Sequence, residues 1–303
     1  MSLSLPAQLL PTPSSEITIL QRTDILNINT HFVTTDASIF HKGKRFVTFR
    51  ATLSRKGQKG AAEERDEEDG VRWNPYCRPR QVVCKVATEP ATIKLLINET
   101  AMYLLPLRSL QGKYVPLFHG MFEGFMQGKA AACIVMDYCG VPLKVALNRV
   151  DRHLLVKVAS AAVAIHEAGI IHNDLCERNI VCLDDRPFII DFETAVPHKC
   201  LRAQKVTIGG PEPFPSKFGC DELFWFCSDE MADLWSPGGI TYFDRYVPIE
   251  HAESAAKLAK QAPEGIPEDL ALLGAEMAIR QLAININGYR KKFRARLPMS
   301  ECV

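Results

Sequence analysis

The hydrophobic positions in the first half of the chain come in short runs that are typical of β-strands. Residues 46–53 are rich in aromatic and β-branched side chains, and Ile39 and Phe40 precede them across a polar turn around Gly43. Two such runs around a glycine-containing turn predict a β-hairpin. The apolar run 82–87 predicts a further strand of the same sheet.

Longer periodic segments predict helices. Apolar side chains recur at helical spacing over residues 91–105, where Pro106 ends the pattern, and again over 150–168. Two later stretches, 220–234 and 267–296, have the same period. We therefore expect a sheet followed by one helix in the first part of the chain, and a mainly helical second part.

Two segments lack this periodicity. Residues 1–30 are rich in Pro, Ser and Thr, which predicts a flexible lead-in. Segment 54–80 is dense in charge and glycine and includes the acidic run 63–69, so it is expected to form a surface loop inserted between strands. We therefore expect the folded part of the chain to begin near residue 31.

The overall charge gives no reason to expect a charged polymer or surface as partner. The 303 residues are 47% hydrophobic, and 36 Lys and Arg nearly balance 35 Asp and Glu. A strongly basic field would be needed to attract nucleic acid or anionic lipid non-specifically. We therefore expect no nucleic-acid or membrane partner, and partners must be recognised by local sites. The oligomeric state is left open.

The cysteines and histidines do not form a motif in the sequence. The ten cysteines are scattered without a CxxC pair, which is typical of reduced thiols in a cytoplasmic or nuclear protein. Prolines interrupt the first thirty residues, so we expect no signal peptide, and no later apolar run has the length of a membrane helix. His119, His153 and His166 have no neighbours at metal-ligand spacing and are expected to be ordinary side chains.

Three polar residues follow the second predicted helix in a pattern that suits metal and proton chemistry. Asp174 and Asn179 lie five residues apart in a polar loop, and Asp191 ends an apolar strand. Mg²⁺ takes hard oxygen ligands and shares them with phosphate oxygens, so Asn179 and Asp191 are candidate ligands of ATP-bridging Mg²⁺. Asp174 is then available to accept a hydroxyl proton and orient a nucleophile.

These residues resemble the signature of the protein kinases. The His-Asn-Asp sequence at 172–174, with Asn179 in register, is similar to the kinase H-R-D loop, and Asp-Phe-Glu at 191–193 is similar to D-F-G. The chain resembles in particular the divergent kinase-like proteins that are numerous in basidiomycete fungi, over roughly residues 39–191. The resemblance implies an α+β, two-lobed protein-kinase-like fold. Its N-lobe, a small antiparallel β-sheet with one helix, would span residues 31–138, and its mainly helical C-lobe would span residues 139–303.

The resemblance also implies roles for charged residues. Val83-Cys84-Lys85 is similar to the lysine motif of the third kinase strand, which would set Lys85 on the α- and β-phosphates of ATP. Glu99, fourteen residues later on the predicted helix, is a candidate ion-pair partner that would position this lysine. Arg178 would neutralise the transferring phosphoryl group.

A nucleotide site is implied around the strand that ends near residue 138. Residues 135–140 resemble the kinase hinge, with Met136 as gatekeeper and the backbone groups of Asp137 and Cys139 as partners of the adenine. The remaining nucleotide-binding residues implied by the resemblance are Gly43, Val83 and Val181.

The pattern departs from the kinases in two places, which keeps other functions open. Only Gly43 remains of the three usual loop glycines, and Glu193 replaces the glycine of D-F-G. The first hypothesis is an ATP- and Mg²⁺-dependent protein kinase that acts on a protein hydroxyl, Ser or Thr by base rate. The alternatives are a pseudokinase that acts as a scaffold, and a small-molecule phosphotransferase similar to choline or aminoglycoside kinases.

Overall fold

The chain forms two compact units in the computed structural model. The first comprises Met1–Gly140 with Ile190–Val196, and the second comprises Val141–Ile189 with Pro197–Val303. The structure describes residues 2–5, 18–22, 31–55, 79–232 and 234–295. The predicted inserted loop lies outside these residues over 56–78.

The first unit is built on a closed barrel of seven strands in the order β1-β2-β6-β7-β5-β4-β3. The strands are β1 (Ser2–Leu5), β2 (Thr18–Arg22), β3 (His31–Lys42), β4 (Val47–Arg55), β5 (Arg80–Ala87), β6 (Phe118–Met126) and β7 (Lys129–Asp137). All neighbours are antiparallel except β1 and β3, which pair in parallel. The prediction of a small antiparallel sheet is therefore wrong for one pair of strands, β1 and β3, whose parallel pairing closes the barrel.

The predicted flexible lead-in is also wrong for the part that the structure describes. Ser2–Leu5 and Thr18–Arg22 are strands, and the rest of residues 1–30 lies outside the described residues. The physical reason is burial: Leu3, Leu5 and Leu20 are at most 2% exposed in the barrel core. Each apolar run is only a few residues long among prolines and serines, so its strand period is too short to recognise in the sequence.

One helix, α1 (Pro90–Leu104), belongs to the first unit and begins with proline at its first turn, where the missing N–H is tolerated. A 3₁₀ turn, Phe192–Thr194, packs against it. The Asn98 side chain donates to the backbone oxygens of Glu193 and Ala195, at 3.0 and 2.9 Å. Because of these contacts residues 190–196 group with the first unit, whereas the sequence assigned them to the second lobe.

The second unit contains most of the helix and several short strands. Its helices are α2 (Arg152–Glu167), α3 (Pro215–Phe218), α4 (Asp221–Trp225), continued by a π-helical turn at Phe226–Glu230, α5 (Ala255–Ala259) and α6 (Glu268–Ala295). Its strands are β8 (Val141–Pro142), β9 (Ile170–Ile171), β10 (Ile180–Leu183), β11 (Arg186–Ile189), β13 (Gly239–Tyr242) and β14 (Arg245–Pro248), and the two-residue strand β12 (Val196–Pro197) lies at the unit boundary. Short 3₁₀ turns occur in this unit at Leu147–Arg149, Glu177–Asn179 and Ile249–His251, and in the first unit at Arg108–Leu110.

Helix α2 forms the core of the second unit and supports the polar loop that follows it. Asp151 caps its start by accepting the N–H of Leu154 at 2.9 Å, and Gly169 ends it in a left-handed conformation. Val158 and Ile165 on its apolar face are at most 1% exposed. After β9, the loop reaches β10 and β11, which form a hairpin.

A smaller core lies between the hairpin β13–β14 and the long helix α6. Ile240, Tyr242 and Leu258 are buried there with Ala275 and Leu282. The Tyr242 hydroxyl donates to the backbone oxygen of Ala271 at 2.6 Å. In the part of the chain that the structure describes, no helix is both long enough and apolar enough to cross a membrane.

Candidate functional site

The candidate site in the first unit is organised around Lys85. This residue lies in the middle of β5, opposite Thr48 of β4 and Ile134 of β7, and it is 9% exposed. A lysine in an apolar strand is costly unless its charge has partners, because burial removes the ammonium group from water. The buried ammonium group of Lys85 therefore needs partners of opposite charge.

Three carboxylates surround the Lys85 ammonium group. Its Nζ lies 2.9 Å from Oε2 of Glu99, 2.5 Å from Oδ1 of Asp191 and 2.9 Å from Oε2 of Glu193. The pairing of Lys85 with Glu99 that the sequence predicts is thus present. An ammonium group has three N–H donors, so these carboxylates use all of them.

The local electrostatics follow from this arrangement. Burial opposes the charge on Lys85, but the three carboxylates outweigh it and raise the pKa of the ammonium group above its ordinary value. Burial raises the pKa of Glu99 and of Glu193, although Lys85 partly offsets it. The cluster therefore carries a firmly charged lysine and an excess of carboxylates.

Asp191 is held in a backbone conformation that is uncommon outside glycine. Its φ is +72° and its ψ is +57°, in the left-handed region. The next residue, Phe192, donates its N–H to Oε1 of Glu99 at 3.3 Å, and its ring meets Tyr103 edge to face at 5.6 Å between centroids. Such strain is found at functional sites where the surroundings fix the residue.

The turn between β3 and β4 also reaches the Lys85 cluster. Arg45 pairs with Oε1 of Glu193 at 2.6 Å, and the Phe46 ring centroid lies 4.3 Å from Lys85 Nζ. The N–H of Gly43 donates to the Phe46 carbonyl at 3.0 Å. The sequence did not predict contacts of Arg45 and Phe46 with the site, because they depend on how the turn folds back.

The residues that the resemblance assigns to the nucleotide lie on neighbouring strands of the first unit. Val83 of β5 pairs with Met136 of β7, and Met136 is buried beside the Tyr103 hydroxyl. The Asp137 N–H already donates to Leu117, at 2.8 Å. An adenine at this point could therefore use the Asp137 carbonyl but not its N–H. Cys139 is buried two residues further on.

The Asp137 side chain has a separate structural role. It accepts two hydrogen bonds from Arg80, at 3.2 and 2.8 Å, and contacts His119 Nε2 at 2.7 Å. Burial opposes the Asp137 charge, but His119 and Arg80 outweigh it and lower the pKa of the carboxyl below its usual value. The carboxylate thus ties β5, β6 and β7 together at one end of the barrel.

The second unit carries the other predicted residues in the loop before β10. The Asp174 carboxylate accepts a hydrogen bond from Arg178 on one oxygen and from Asn179 Nδ2 on the other, the latter at 2.9 Å. Asn179 Nδ2 also donates to the Asp174 backbone oxygen at 2.8 Å. The structure therefore brings Asp174, Arg178 and Asn179 together, and the Asp174 oxygens retain further lone pairs.

Glu222 fixes the backbone of this loop. Its carboxylate accepts the N–H of His172 at 2.9 Å and that of Asn173 at 2.6 Å. Asn173 has a φ of +64°, a conformation that asparagine adopts more readily than most residues. Sequence reasoning missed Glu222, since it follows His172 by fifty residues and only the fold brings it to the loop.

Val181, assigned to the nucleotide by resemblance, lies in β10 and pairs with Phe188 of β11 and Pro142 of β8. It is 6% exposed. The predicted residues thus fall into two sets: those around Lys85 are assembled in the first unit, and those around Asp174 in the second.

The donor atoms of both sets suit a hard cation. Asp191 supplies carboxylate oxygens and Asn179 an amide oxygen, the ligand types that Mg²⁺ prefers. Both hydrogen bonds made by the Asn179 side chain use Nδ2, so its amide oxygen is the atom that remains for a cation. Glu99, Asp191 and Glu193 form a further carboxylate cluster, with one oxygen of each within 4.8 Å of the others.

Parts of the chain are similar in sequence to known proteins. The family described as RIO1: RIO domain matches residues 129–206, a stretch that runs from β7 past Asp174, Asn179 and Asp191. The chain is 30% identical over 128 residues to the "Serine/threonine-protein kinase AfsK" of Streptomyces griseus. The AfsK protein of Streptomyces coelicolor is similar to the same extent.

Both similarities cover a part of the proteins compared. Each match to AfsK covers 39% of this chain, and the chain spans 16% of the length of these curated relatives. The RIO match and the AfsK match nevertheless agree in the kind of protein that they point to. Both partial matches support a relationship to the protein-kinase superfamily, to which the RIO domain belongs as an atypical family.

Proposed function

We propose that this chain is an ATP- and Mg²⁺-dependent phosphotransferase with a two-lobed kinase fold, which phosphorylates a protein hydroxyl, that of Ser or Thr. The observation that carries the proposal is the buried Lys85, whose ammonium group lies 2.9 Å from Glu99 and 2.5 Å from Asp191. A buried ammonium group among carboxylates is suited to bind phosphate oxygens when one of the three carboxylates around it withdraws, because these otherwise use all its N–H donors.

The proposed role of Lys85 is to hold the α- and β-phosphates, with Glu99 fixing the direction of its side chain. Met136, Val83 and Val181 supply apolar contacts to the base, and the backbone of Asp137 and Cys139 supplies polar ones. Asp191 and Asn179 are the proposed Mg²⁺ ligands. When bound, Mg²⁺ neutralises phosphate charge and orients the triphosphate.

Asp174 is the proposed base for the acceptor hydroxyl. Arg178 and Asn179 each donate to one of its oxygens, which fixes the carboxylate while leaving lone pairs for a hydroxyl proton. Arg178 is 68% exposed at its side chain, so it is also able to contact a phosphoryl group that arrives from solvent. The Ser or Thr acceptor is inferred from the similarity to AfsK.

The test is calorimetric titration of the purified chain with ATP, with and without Mg²⁺. We expect binding that requires Mg²⁺ and that weakens at least about tenfold in Lys85→Met and Asp191→Asn, since each removes a charged contact to the ligand. Lys129→Met and Asp244→Asn are matched controls on exposed residues and should bind as the unaltered chain does. No binding at millimolar ATP would overturn the proposal.

A second candidate function, a pseudokinase that acts as a binding module, is favoured by the third contact of Lys85. Glu193 takes the donor that a phosphate would need, and the Gly43 N–H is used inside its own turn. Transfer of labelled phosphate from γ-labelled ATP to a panel of protein acceptors distinguishes the two. ATP binding without transfer to the panel or to the chain itself would favour the binding module.

A further inference from the structure

Four potential metal ligands meet in the second unit, outside the residues assigned to phosphotransfer. His166 ends helix α2, His198 and Cys200 follow β12, and Cys220 stands directly before helix α4. One ligand atom of each lies within 4.8 Å of the others. The sequence spreads them over more than fifty residues, so the cysteine and histidine spacing gave no sign of a site.

The distances within this His₂Cys₂ cluster are close to those in a tetrahedral site. Cys220 Sγ lies 3.5 Å from His166 Nδ1 and 3.9 Å from His198 Nε2. Bonds of about 2.3 Å to sulfur and about 2.0 Å to nitrogen give ligand separations of about 3.3–3.8 Å around tetrahedral zinc. Small side-chain adjustments would bring all four atoms to bonding distance.

Glu222 is the second observation that points to a ligand. Its Oε2 lies 2.8 Å from Nε2 of His166. The other ring nitrogen, Nδ1, faces the thiol of Cys220 at 3.5 Å, so the carboxylate orients the ring with Nδ1 towards the cluster. A carboxylate behind a histidine is the usual second partner in zinc sites, where it orients the ring and raises its basicity.

We propose that His166, His198, Cys200 and Cys220 bind one Zn²⁺ ion in a structural site. Two imidazoles and two thiolates are a ligand set that selects zinc over the hard cations Mg²⁺ and Ca²⁺. Four protein ligands close the coordination sphere, so the ion holds structure and leaves no position for a substrate. The two thiol protons are released to solvent when the ion binds.

The zinc ion would connect three segments of the second unit. It joins the end of helix α2, the segment around His198 and the start of helix α4. Glu222 of α4 in turn accepts the N–H groups of His172 and Asn173. The metal therefore holds the element that positions the loop of Asp174, and the inference stands whether or not the chain transfers phosphate.

The first test is the metal content of the untagged chain, measured by elemental analysis after gel filtration. We expect about one zinc per chain, which is retained against a weak chelator. Cys200→Ser and His198→Gln should each weaken retention at least about tenfold, because each removes one of four ligands. Cys182→Ser and His251→Gln replace residues of similar burial elsewhere in the unit and should retain the metal.

A second measurement on the unaltered chain keeps the result independent of how the variants fold. Cobalt added to the metal-free protein should give the intense visible bands of tetrahedral cobalt with thiolate ligands. Zinc should also protect Cys200, which is half-buried, from alkylation, while Cys182 reacts at an unchanged rate. A metal-free chain that gives neither bands nor protection, or a disulfide between Cys200 and Cys220 in the native protein, would overturn the proposal.

Discussion

Glu193 takes the third hydrogen-bonding position of Lys85, with its Oε2 2.9 Å from the ammonium nitrogen. Glu99 and Asp191 take the other two, so the ammonium group has no donor left for a phosphate. Arg45 contacts the opposite oxygen of Glu193 at 2.6 Å. Binding of a triphosphate to Lys85 therefore requires one carboxylate to move away. Glu193 is the carboxylate that we expect to move, because it keeps Arg45 as a partner.

Glu193→Gln should strengthen the binding of Mg²⁺–ATP. The substitution keeps the size of the side chain but removes a negative charge next to the proposed phosphate site and weakens the hydrogen bond to Lys85. If the competing hydrogen bond from Lys85 to Glu193 is weakened by about 1 kcal/mol, the dissociation constant for Mg²⁺–ATP should fall about threefold to tenfold. Calorimetric titration measures this dissociation constant, with Glu123→Gln on β6 as control. Equal or weaker binding would show that Glu193 does not compete with the phosphates.

Gly43→Ala tests whether the remaining loop glycine contacts the nucleotide. A Cβ at this position would lie 3.1 Å from His41 Nε2 and 3.4 Å from the Phe46 oxygen, so a slight movement of the His41 ring accommodates it. The Gly43 N–H is already bonded to Phe46. We expect the dissociation constant for Mg²⁺–ATP to change less than about twofold. A loss of tenfold or more would mean that the turn opens to bring Gly43 to the phosphates.

Asp137→Asn should destabilise the protein at neutral pH and not at acidic pH. The pKa of Asp137 is lowered on folding, so its contribution is present above the ordinary aspartate pKa and is lost as pH falls through the lower folded value. Because the side chain is partly exposed, we expect the substitution to lower the free energy of unfolding by only roughly 1 kcal/mol at pH 7.

The measurement for Asp137→Asn is the free energy of unfolding in urea from pH 7 down to pH 3. The difference from the unaltered chain should be constant above about pH 5 and shrink below about pH 4. Asp36→Asn, on an exposed aspartate of β3, is the control. A difference that is independent of pH would show that Arg80 and His119 do not act through the Asp137 charge.

The sequence alone predicted the structure where an apolar pattern repeats over many residues or where a known motif has a fixed spacing. The 91–105 and 150–168 predictions match α1 and α2 to within two residues, because a proline and the capping Asp151 set boundaries on clear apolar faces. The pairing of Lys85 with Glu99 was predicted from the resemblance to the kinase lysine motif, with Glu99 fourteen residues later on a predicted helix.

The sequence was insufficient where contacts depend on distant segments. Leu3 and Leu20 belong to strands of four and five residues, too short for a period to be recognised. Glu222 reaches the loop of His172 only because the fold brings the start of helix α4 to the last turn of helix α2, where Glu222 contacts His166. Arg45 reaches Glu193 through the fold of a turn, whose direction no local pattern specifies.

Asp174→Asn should separate phosphoryl transfer from nucleotide binding. Asparagine keeps one of the two acceptor oxygens that Arg178 and Asn179 use, but it is a much weaker base, so we expect a rate loss of about 10²–10⁴-fold. The affinity for Mg²⁺–ATP should change less than about twofold, since Asp174 is not among the proposed phosphate or metal ligands. The assay is transfer of labelled phosphate to the best acceptor of the protein panel, next to calorimetry on the same sample.

The matched control for Asp174→Asn is Asp184→Asn, in the turn between β10 and β11, where asparagine tolerates the positive φ of +50°. Two results would contradict the role of Asp174. Unchanged transfer would show that no base is needed at this position. Loss of transfer together with loss of ATP binding would show that Asp174 supports the fold of its loop through Arg178 and Asn179. A catalytic role would then be assigned only if the variant has a normal unfolding curve.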